Sequence, residues 1–302
     1  MPRIRKTLSL PLKWHGGKHY LASHIIGLFP PHVHYVEPYF GGGAVLFAKP
    51  AEWIEGYSEV VNDIDGELMN FWRCIRSKGY ALMADWLDGT PLSQEEFTLA
   101  CKPSRRRIGD EDQYRAYCFF IRYRQSRQGL GKDFATLSRN RTRRGMNEQV
   151  SSWLSAIEGL PEAHERLKRV VIFCNGALKV IKQQDGPNTL FYLDPPYLHE
   201  TRTAKDDYEH EMTRAQHEEL LYALAGIKGK FLLSGYPSLL YRAAEKRHGW
   251  NCRQFVIDCK ASGAKNKPKR VECVWSNFGV PTALARLAGR VAKKLRIGRE
   301  LT

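Results

Sequence analysis

Leu190-Phe191-Tyr192-Leu193-Asp194-Pro195-Pro196-Tyr197 is an apolar run of strand length that stops at an acid, a double proline and an aromatic ring. A run this short and rich in aromatics reads as a buried strand. The prolines fix φ and withdraw two backbone donors, so the chain leaves the strand through a rigid corner whose carbonyls stay available as acceptors. Asp194 and the Pro195 carbonyl can then accept both hydrogens of an exocyclic amine. Tyr197 offers a flat face for stacking a base, a role that phenylalanine would fill nearly as well. With Pro196 these residues form the candidate catalytic set. An Asp-Pro turn at a strand end is also a common structural device, so the corner needs a context.

That context lies upstream. Glu37-Pro38-Tyr39-Phe40-Gly41-Gly42-Gly43 falls between a short strand, His34-Tyr35-Val36-Glu37, and a helix that starts at Ala44-Val45-Leu46-Phe47-Ala48 and is stopped by Pro50. Glycines there allow close backbone approach to a ligand, and a helix N-terminus can meet a carboxylate. A second strand, Glu59-Val60-Val61-Asn62, ends at Asp63, where a carboxylate can bind the ribose hydroxyls of a nucleoside cofactor. Together with a loop carrying Gly16-Gly17-Lys18 and an amphipathic helix to about Phe29, residues 12–65 read as an α/β unit.

Residues 71–169 switch to helical periodicity, broken by arginine-rich loops at 102–112 and 129–145, and read as an insertion. Strand signals resume with Val170-Val171-Ile172-Phe173, Leu190 to Leu193 and Phe231-Leu232-Leu233-Ser234, with a helix at about 216–225. Arg253-Gln254-Phe255-Val256-Ile257 and Glu272-Cys273-Val274-Trp275-Ser276 have no helix between them, which predicts an antiparallel hairpin at one end of the sheet. The basic linker 260–270 is expected to be a mobile loop, and the tail 286–299 a basic helix or an arm.

The 302 residues carry 47 lysines and arginines against 32 acids, a net charge of +15 that favours a polyanionic partner. Between Cys101 and Arg144 thirteen basic residues face four acidic ones, so this stretch supplies +9 of the +15. Eleven of the thirteen are arginine, which suits phosphate forks and guanine edges better than solubility alone would require. Arg122, Arg124, Arg127, Lys132, Arg139, Arg141, Arg143 and Arg144 are the candidate DNA contacts. The seven cysteines are scattered, without the close pairs of a zinc or redox motif. No apolar run approaches the ~20 residues of a membrane helix, and the basic N-terminus lacks a signal-peptide core. The expectation is a cytoplasmic protein with no metal and no membrane partner.

Four segments occur in one order: Lys13-Trp14-His15-Gly16-Gly17-Lys18, the turn Glu37 to Gly43, Asn62-Asp63-Ile64-Asp65, and Asp194-Pro195-Pro196-Tyr197. In this the chain resembles the Dam-like, D12-class adenine-N6 DNA methyltransferases. There Lys-Trp-x-Gly-Gly-Lys, Glu-Pro-Phe-x-Gly-x-Gly, an acidic strand end and Asp-Pro-Pro-Tyr follow one another. Tyr39 departs from the phenylalanine usual in that family.

The resemblance implies a Rossmann-like mixed α/β sheet of the class I S-adenosylmethionine-dependent type, with residues 1–70 and 170–302 as catalytic domain and 71–169 as an inserted, mainly helical DNA target-recognition domain. Trp14, Lys18, Glu37, Pro38, Tyr39, Gly41, Gly43, Asp63 and Asp194 would line the S-adenosylmethionine site, with Phe173 and Cys174 beside its adenine. It implies double-stranded DNA as partner, a bacterial nucleoid or phage setting, and direct methyl transfer to N6 of a flipped-out adenine. No cysteine follows a proline, in keeping with the absence of a covalent intermediate. N4-cytosine methylation, RNA or glutamine methylation, and a non-catalytic DNA-binding role on the same fold are the alternatives. Monomer and homodimer stay equally open, as does a companion restriction enzyme.

Overall fold

The computed structural model describes residues 8, 10–50, 57–102, 111–201, 210–258 and 269–279. Seven strands form one sheet: β1 (His34–Glu37), β2 (Ser58–Asn62), β5 (Val170–Phe173), β6 (Thr189–Leu193), β7 (Lys230–Gly235), β8 (Asn251–Asp258) and β9 (Lys269–Ser276). Their spatial order is β5-β2-β1-β6-β7-β9-β8. The first five run parallel, β9 is antiparallel to β7, and β8 closes the edge as the second arm of the expected hairpin. This is the mixed α/β sheet that the motif order implied. Lys269 and Arg270, expected in the linker, belong to β9, because each pairs with a residue of β8. Residues 259–268, 103–110 and the basic tail lie outside the described residues.

Alternate residues of the central strands serve opposite cores, as the two-residue period of a strand requires. Tyr35, Val61, Leu190, Tyr192, Leu232 and Val274 face one layer. Val36, Val60, Phe191, Leu193, Leu233 and Trp275 face the other. The first layer holds α1 (Ala22–Ile26), α2 (Ala44–Ala48) and α3 (Gly66–Arg76), joined by α4 (Tyr80–Asp88), α5 (Gln94–Ala100), α6 (Glu111–Arg124), α7 (Glu148–Glu158) and α8 (Leu160–Leu167). Phe71, Trp72, Phe119, Phe120 and Trp153 are buried in the same core as Val61 and Leu190, so the helices of 71–169 pack into the sheet's own interior.

The second layer is α9 (Ala177–Gln184), α10 (Arg214–Gly226) and α11 (Leu239–His248). α10 starts on a capping box between Thr213 and Gln216. α11 runs from a Ser238 N-cap to a left-handed Gly249. The insertion also carries a short hairpin, β3 (Thr142–Arg143) and β4 (Met146–Asn147), turning at Arg144 and Gly145 with φ of 59° and 75°. Positive φ at both central residues gives such a turn the twist that a two-residue hairpin needs.

One buried ionic cluster ties the first layer to the sheet. Glu59 on β2 accepts from Lys49 Nζ at 2.7 Å and from both terminal nitrogens of Arg166 at 2.6 and 2.8 Å. All three side chains are enclosed. Removing the carboxylate leaves two buried cations uncompensated, and a broken buried pair costs about 3–5 kcal/mol. Glu59→Ala is therefore expected to lose that much in urea unfolding. Replacing Lys49, Glu59 and Arg166 together by apolar residues should cost far less.

Candidate active site

Strand order places the site. The chain runs from β1 outward to β2 and β5, then crosses back to β6 on the other side of β1. Open α/β sheets bind ligands at such a switch point, outside the carboxyl ends of the strands. Here those ends carry Glu37 and Asp194, and a cleft of about 810 Å³ opens over them.

The glycine turn after β1 forms the floor. Gly41 and Gly43 hold φ of +49° and +70°, left-handed values that other residues adopt at a cost. Trp14 lies on the turn: a Cβ on Gly41 would stand 2.7 Å from its Nε1. From beneath, Trp72 Nε1 donates to Gly41 O at 3.0 Å. Asp63 braces the turn from the end of β2, accepting from Gly41 N at 2.9 Å and Asp65 N at 3.2 Å. Burial pushes the Asp63 carboxyl up from its ordinary value. Two carboxylate oxygens offer about four acceptor sites, so these bonds leave room for hydroxyl donors. Tyr39, half-buried, also lines the cleft.

Lys18 enters from the N-terminal segment and is buried. Its Nζ stands 2.9 Å from Asp194 Oδ1 and 3.6 Å from Glu272 Oε1 and donates to Gly16 O at 3.1 Å. Burial works to lower its pKa, but the adjoining acid groups, Asp194 foremost, hold it well above the lysine norm. Tyr197 Oη donates to Asp194 Oδ1 at 3.1 Å and also contacts Glu272 Oε1. Asp194 Oδ2 has no hydrogen bond among the described residues. Glu272, on β9, was not legible as a site residue: it reads as one inward position of a strand, and only the sheet order brings it beside β7 and the corner.

Of the expected cofactor residues, Trp14, Lys18, Glu37, Pro38, Tyr39, Gly41, Gly43, Asp63 and Asp194 line one cleft. Phe173 and Cys174 do not; Phe173 packs into the second core and Cys174 is exposed. Ile64, Leu178 and Lys179 line the cleft instead, and the exposure of Ile64 and Leu178, 54% and 36%, marks them as apolar surface without a protein neighbour. Pro195 and Pro196 border the cleft, but Tyr197 does not. The Tyr197 ring is 7% exposed, with the Lys18 ammonium 4.7 Å from its centroid and Tyr236 edge-to-face at 4.7 Å. The ring is thus enclosed in this structure, and its hydroxyl is turned to Asp194 and Glu272.

The candidate DNA contacts divide. Arg122 and Lys132 line the cleft beside Tyr123 and Gly129. Arg127, Arg139 and Arg143 are exposed and form no ion pair among the described residues. Arg141 lies 3.6 Å from Glu148 and is largely exposed. Arg144 is spent on Glu158 in a two-pronged pair at 2.8 and 3.0 Å, and Arg124 donates to Ser152 O at 2.6 Å. Burial lowers the Arg124 pKa to about 10.

This sheet order, with a glycine floor and an acid at each of three strand ends, defines a class I methyltransferase fold. The chain matches the family profile of the D12 class N6 adenine-specific DNA methyltransferases over residues 14–250. It is 25% identical over 288 residues to the type II methyltransferase M1.LlaDCHI of Lactococcus lactis subsp. cremoris, covering 88% of this chain and 94% of that protein. It is 25% identical over 194 residues to the DNA N-6-adenine-methyltransferase of Escherichia phage P1, covering 61% of this chain and 23% of that protein. The chain belongs to the D12 class of N6 adenine-specific DNA methyltransferases, which decides for adenine over N4-cytosine and for an enzyme over a non-catalytic binder. The reaction calls for a methyl donor and DNA. Among the described residues no helix is long and apolar enough to cross a membrane, and no three His, Cys, Asp or Glu side chains are grouped to hold a metal.

Glu37 yields a pH test. Burial pushes its carboxyl up to about 8, against the Tyr35 Oη bond at 2.6 Å that lowers it. Its folded value exceeds its unfolded one of 4.5, so the stability it supports is full below the unfolded value and is lost as pH rises through the folded one. Denaturant midpoints measured from pH 4 to 9 should fall across that window in the wild type, and Glu37→Gln should flatten the fall.

Proposed function

We propose that this cleft binds S-adenosylmethionine and transfers its methyl group to N6 of an adenine extruded from double-stranded DNA. The observation that carries the reading is the state of Asp194. Lys18 and Tyr197 both act on Oδ1, which fixes the carboxylate and leaves Oδ2 for an incoming donor. The N6 amine is a weak nucleophile because its lone pair is delocalised into the ring. Acceptance of its hydrogens by Asp194 Oδ2 and the Pro195 carbonyl returns electron density to nitrogen, a preorganised electrostatic effect.

The fit to the methyl donor rests on the floor of the cleft. The left-handed Gly41 and Gly43 allow close approach, Asp63 offers acceptors for ribose hydroxyls, and Ile64 and Leu178 present bare apolar surface suited to a purine. When bound, S-adenosylmethionine supplies an electrophilic sulfonium methyl. Trp14, Lys18, Glu37, Pro38 and Tyr39 complete the wall.

A base stacked in a duplex cannot enter a cleft of this depth, and its extrusion costs a few kcal/mol. The insertion supplies the matching phosphate and base contacts. Arg127, Arg139, Arg141 and Arg143 are the exposed arginines, while Arg122 and Lys132 sit at the cleft wall. Arg124 and Arg144, held by Ser152 and Glu158, shape the surface rather than read DNA.

Protein incubated with labelled S-adenosylmethionine and duplex DNA should place label on N6-methyldeoxyadenosine after digestion to nucleosides. Asp194→Ala should lower turnover on the order of 10²–10³-fold or more while donor binding, measured by calorimetry, persists. Label on another nucleoside, or near-normal turnover by the variant, would sink the reading.

Arg139→Gln or Arg143→Gln, if the arginine binds a phosphate, should lower the slope of log affinity against log salt by about 0.9 on every sequence. If it reads a base, the loss should be roughly 1–3 kcal/mol on the preferred site alone. Arg144→Gln should change neither. Binding isotherms at several salt concentrations distinguish these outcomes, and unaltered slope and preference in all exposed-arginine variants would move recognition out of the insertion.

A further inference from the structure

The corner that holds Asp194 contains one more carboxyl than its charges require. Among the described residues Lys18 is the cation paired with Asp194 and Glu272; the side chains of Lys18 and Glu272 are enclosed, at 6% and 1% exposure, and that of Asp194 is 18% exposed. Tyr197 Oη touches both acids, Asp194 Oδ1 at 3.1 Å and Glu272 Oε1. Each oxygen–oxygen contact needs a proton between its partners, since two bare acceptors repel. A phenol has one proton, and here there are two contacts. Lys18 directs its nearest donors to Asp194 and Gly16. The single phenol proton leaves the second contact open to a proton on one of the two carboxyls.

Position decides which. Asp194 has the ammonium nearer and keeps partial access to solvent, whereas Glu272 is sealed on β9 and stands farther from Lys18. We propose that Glu272 is a positioning residue working in its neutral form: its carboxyl O–H donates to Tyr197 Oη, and the Tyr197 hydroxyl donates to Asp194 Oδ1. Burial pushes the Glu272 carboxyl up, in the same sense. The chain fixes two donors on Oδ1 and keeps Oδ2 for the substrate amine. The inference rests on the reading of Asp194 as the acceptor for that amine.

Ionised Glu272 would reverse the chain. It would take the phenol proton, remove a donor from Asp194 and compete with it for Lys18. The groups facing Glu272 are Lys18 and Tyr20 from the N-terminal segment, Asp194 and Tyr197 at the corner after β6, and Cys273 beside it on its own strand; Tyr236 packs on the Tyr197 ring and Arg270 lies over Tyr236. Burial holds the phenols of Tyr20, Tyr192 and Tyr197 protonated. A rise in pH through the folded value of Glu272 therefore adds a second negative charge beside Asp194, and turnover should fall.

The test compares wild type, Glu272→Ala and Glu272→Gln. Glutamine can donate to Tyr197 as a neutral carboxyl does, but cannot ionise. The alanine variant should lose turnover on the order of 10²-fold through misplacement of Asp194, with KM and donor binding little altered. Glutamine should restore most of that loss and abolish the fall with rising pH expected of the wild type. Infrared spectra at neutral pH should show a protonated-carboxyl band that Glu272→Gln removes, a readout that serves even if the alanine variant fails to fold.

A glutamine variant as impaired as alanine, an unchanged alkaline fall, or no lost carboxyl band would each overturn the proposal and make Glu272 an anion paired with Lys18. Failure of the wild type to label adenine at all would instead overturn the reading of the site, and this inference with it.

Discussion

A buried ammonium has to meet its counter-charge inside the protein, and Lys18 imposes that condition on three distant parts of this chain. Leaving such an ion unpaired costs several kcal/mol even after relaxation. The N-terminal segment must lie over the carboxyl ends of the strands, the Pro-Pro corner must turn so that Asp194 Oδ1 arrives at 2.9 Å, and β9 must insert beside β7 to bring Glu272 within 3.6 Å. What stabilises the fold and what orients the Asp194 carboxylate are thus the same contact.

The N-terminal segment does a second job through its aromatic. Trp14 lies on the glycine turn on one side and stacks on Tyr123 of α6 at 4.9 Å on the other. Lys13 Nζ donates to Ser126 O at 2.9 Å, and Gly129, at φ +73°, approaches the Lys13 carbonyl so closely that a Cβ would stand 2.1 Å from it. Insertion and cleft share a wall as a result. The arginine-rich surface is rigidly referenced to the glycine turn through a few side chains rather than through a linker.

Sheet, hairpin and cleft floor were legible because their signals are local: apolar runs of strand length, glycines after a strand, an acid at a strand end. α9 and α11 were not read, although Ser238 and Gly249 bracket α11 as a cap and a stop. α11 buries only Tyr241 fully, and Leu239 is 82% exposed, while α9 buries Val180 and Ile181 but is only eight residues long. Charge counting found the basic insertion but could not separate Arg144, spent on Glu158, from Arg139 and Arg143, since a pairing across eleven or more residues leaves no local trace. The burial of Tyr197 was hidden for a related reason: an aromatic after a proline corner suggests a ring on display, whereas the ring is enclosed and its hydroxyl turns inward to Asp194 and Glu272. Glu272 itself depends on β9 crossing between β7 and β8, a topological fact no window of sequence contains.

The insertion of β9 between β7 and β8 also sets the order of events during synthesis. Lys18 is made well before Asp194, and Glu272 later still. Contacts between such distant positions pay for loop closure before they stabilise anything, and they form late in folding. A nascent chain that stops at β8 leaves β7 with an unpaired edge and the Lys18–Asp194 contact without its neighbour Glu272. The corner that joins Lys18, Asp194 and Glu272 is therefore completed only when nearly the whole described sheet has been made.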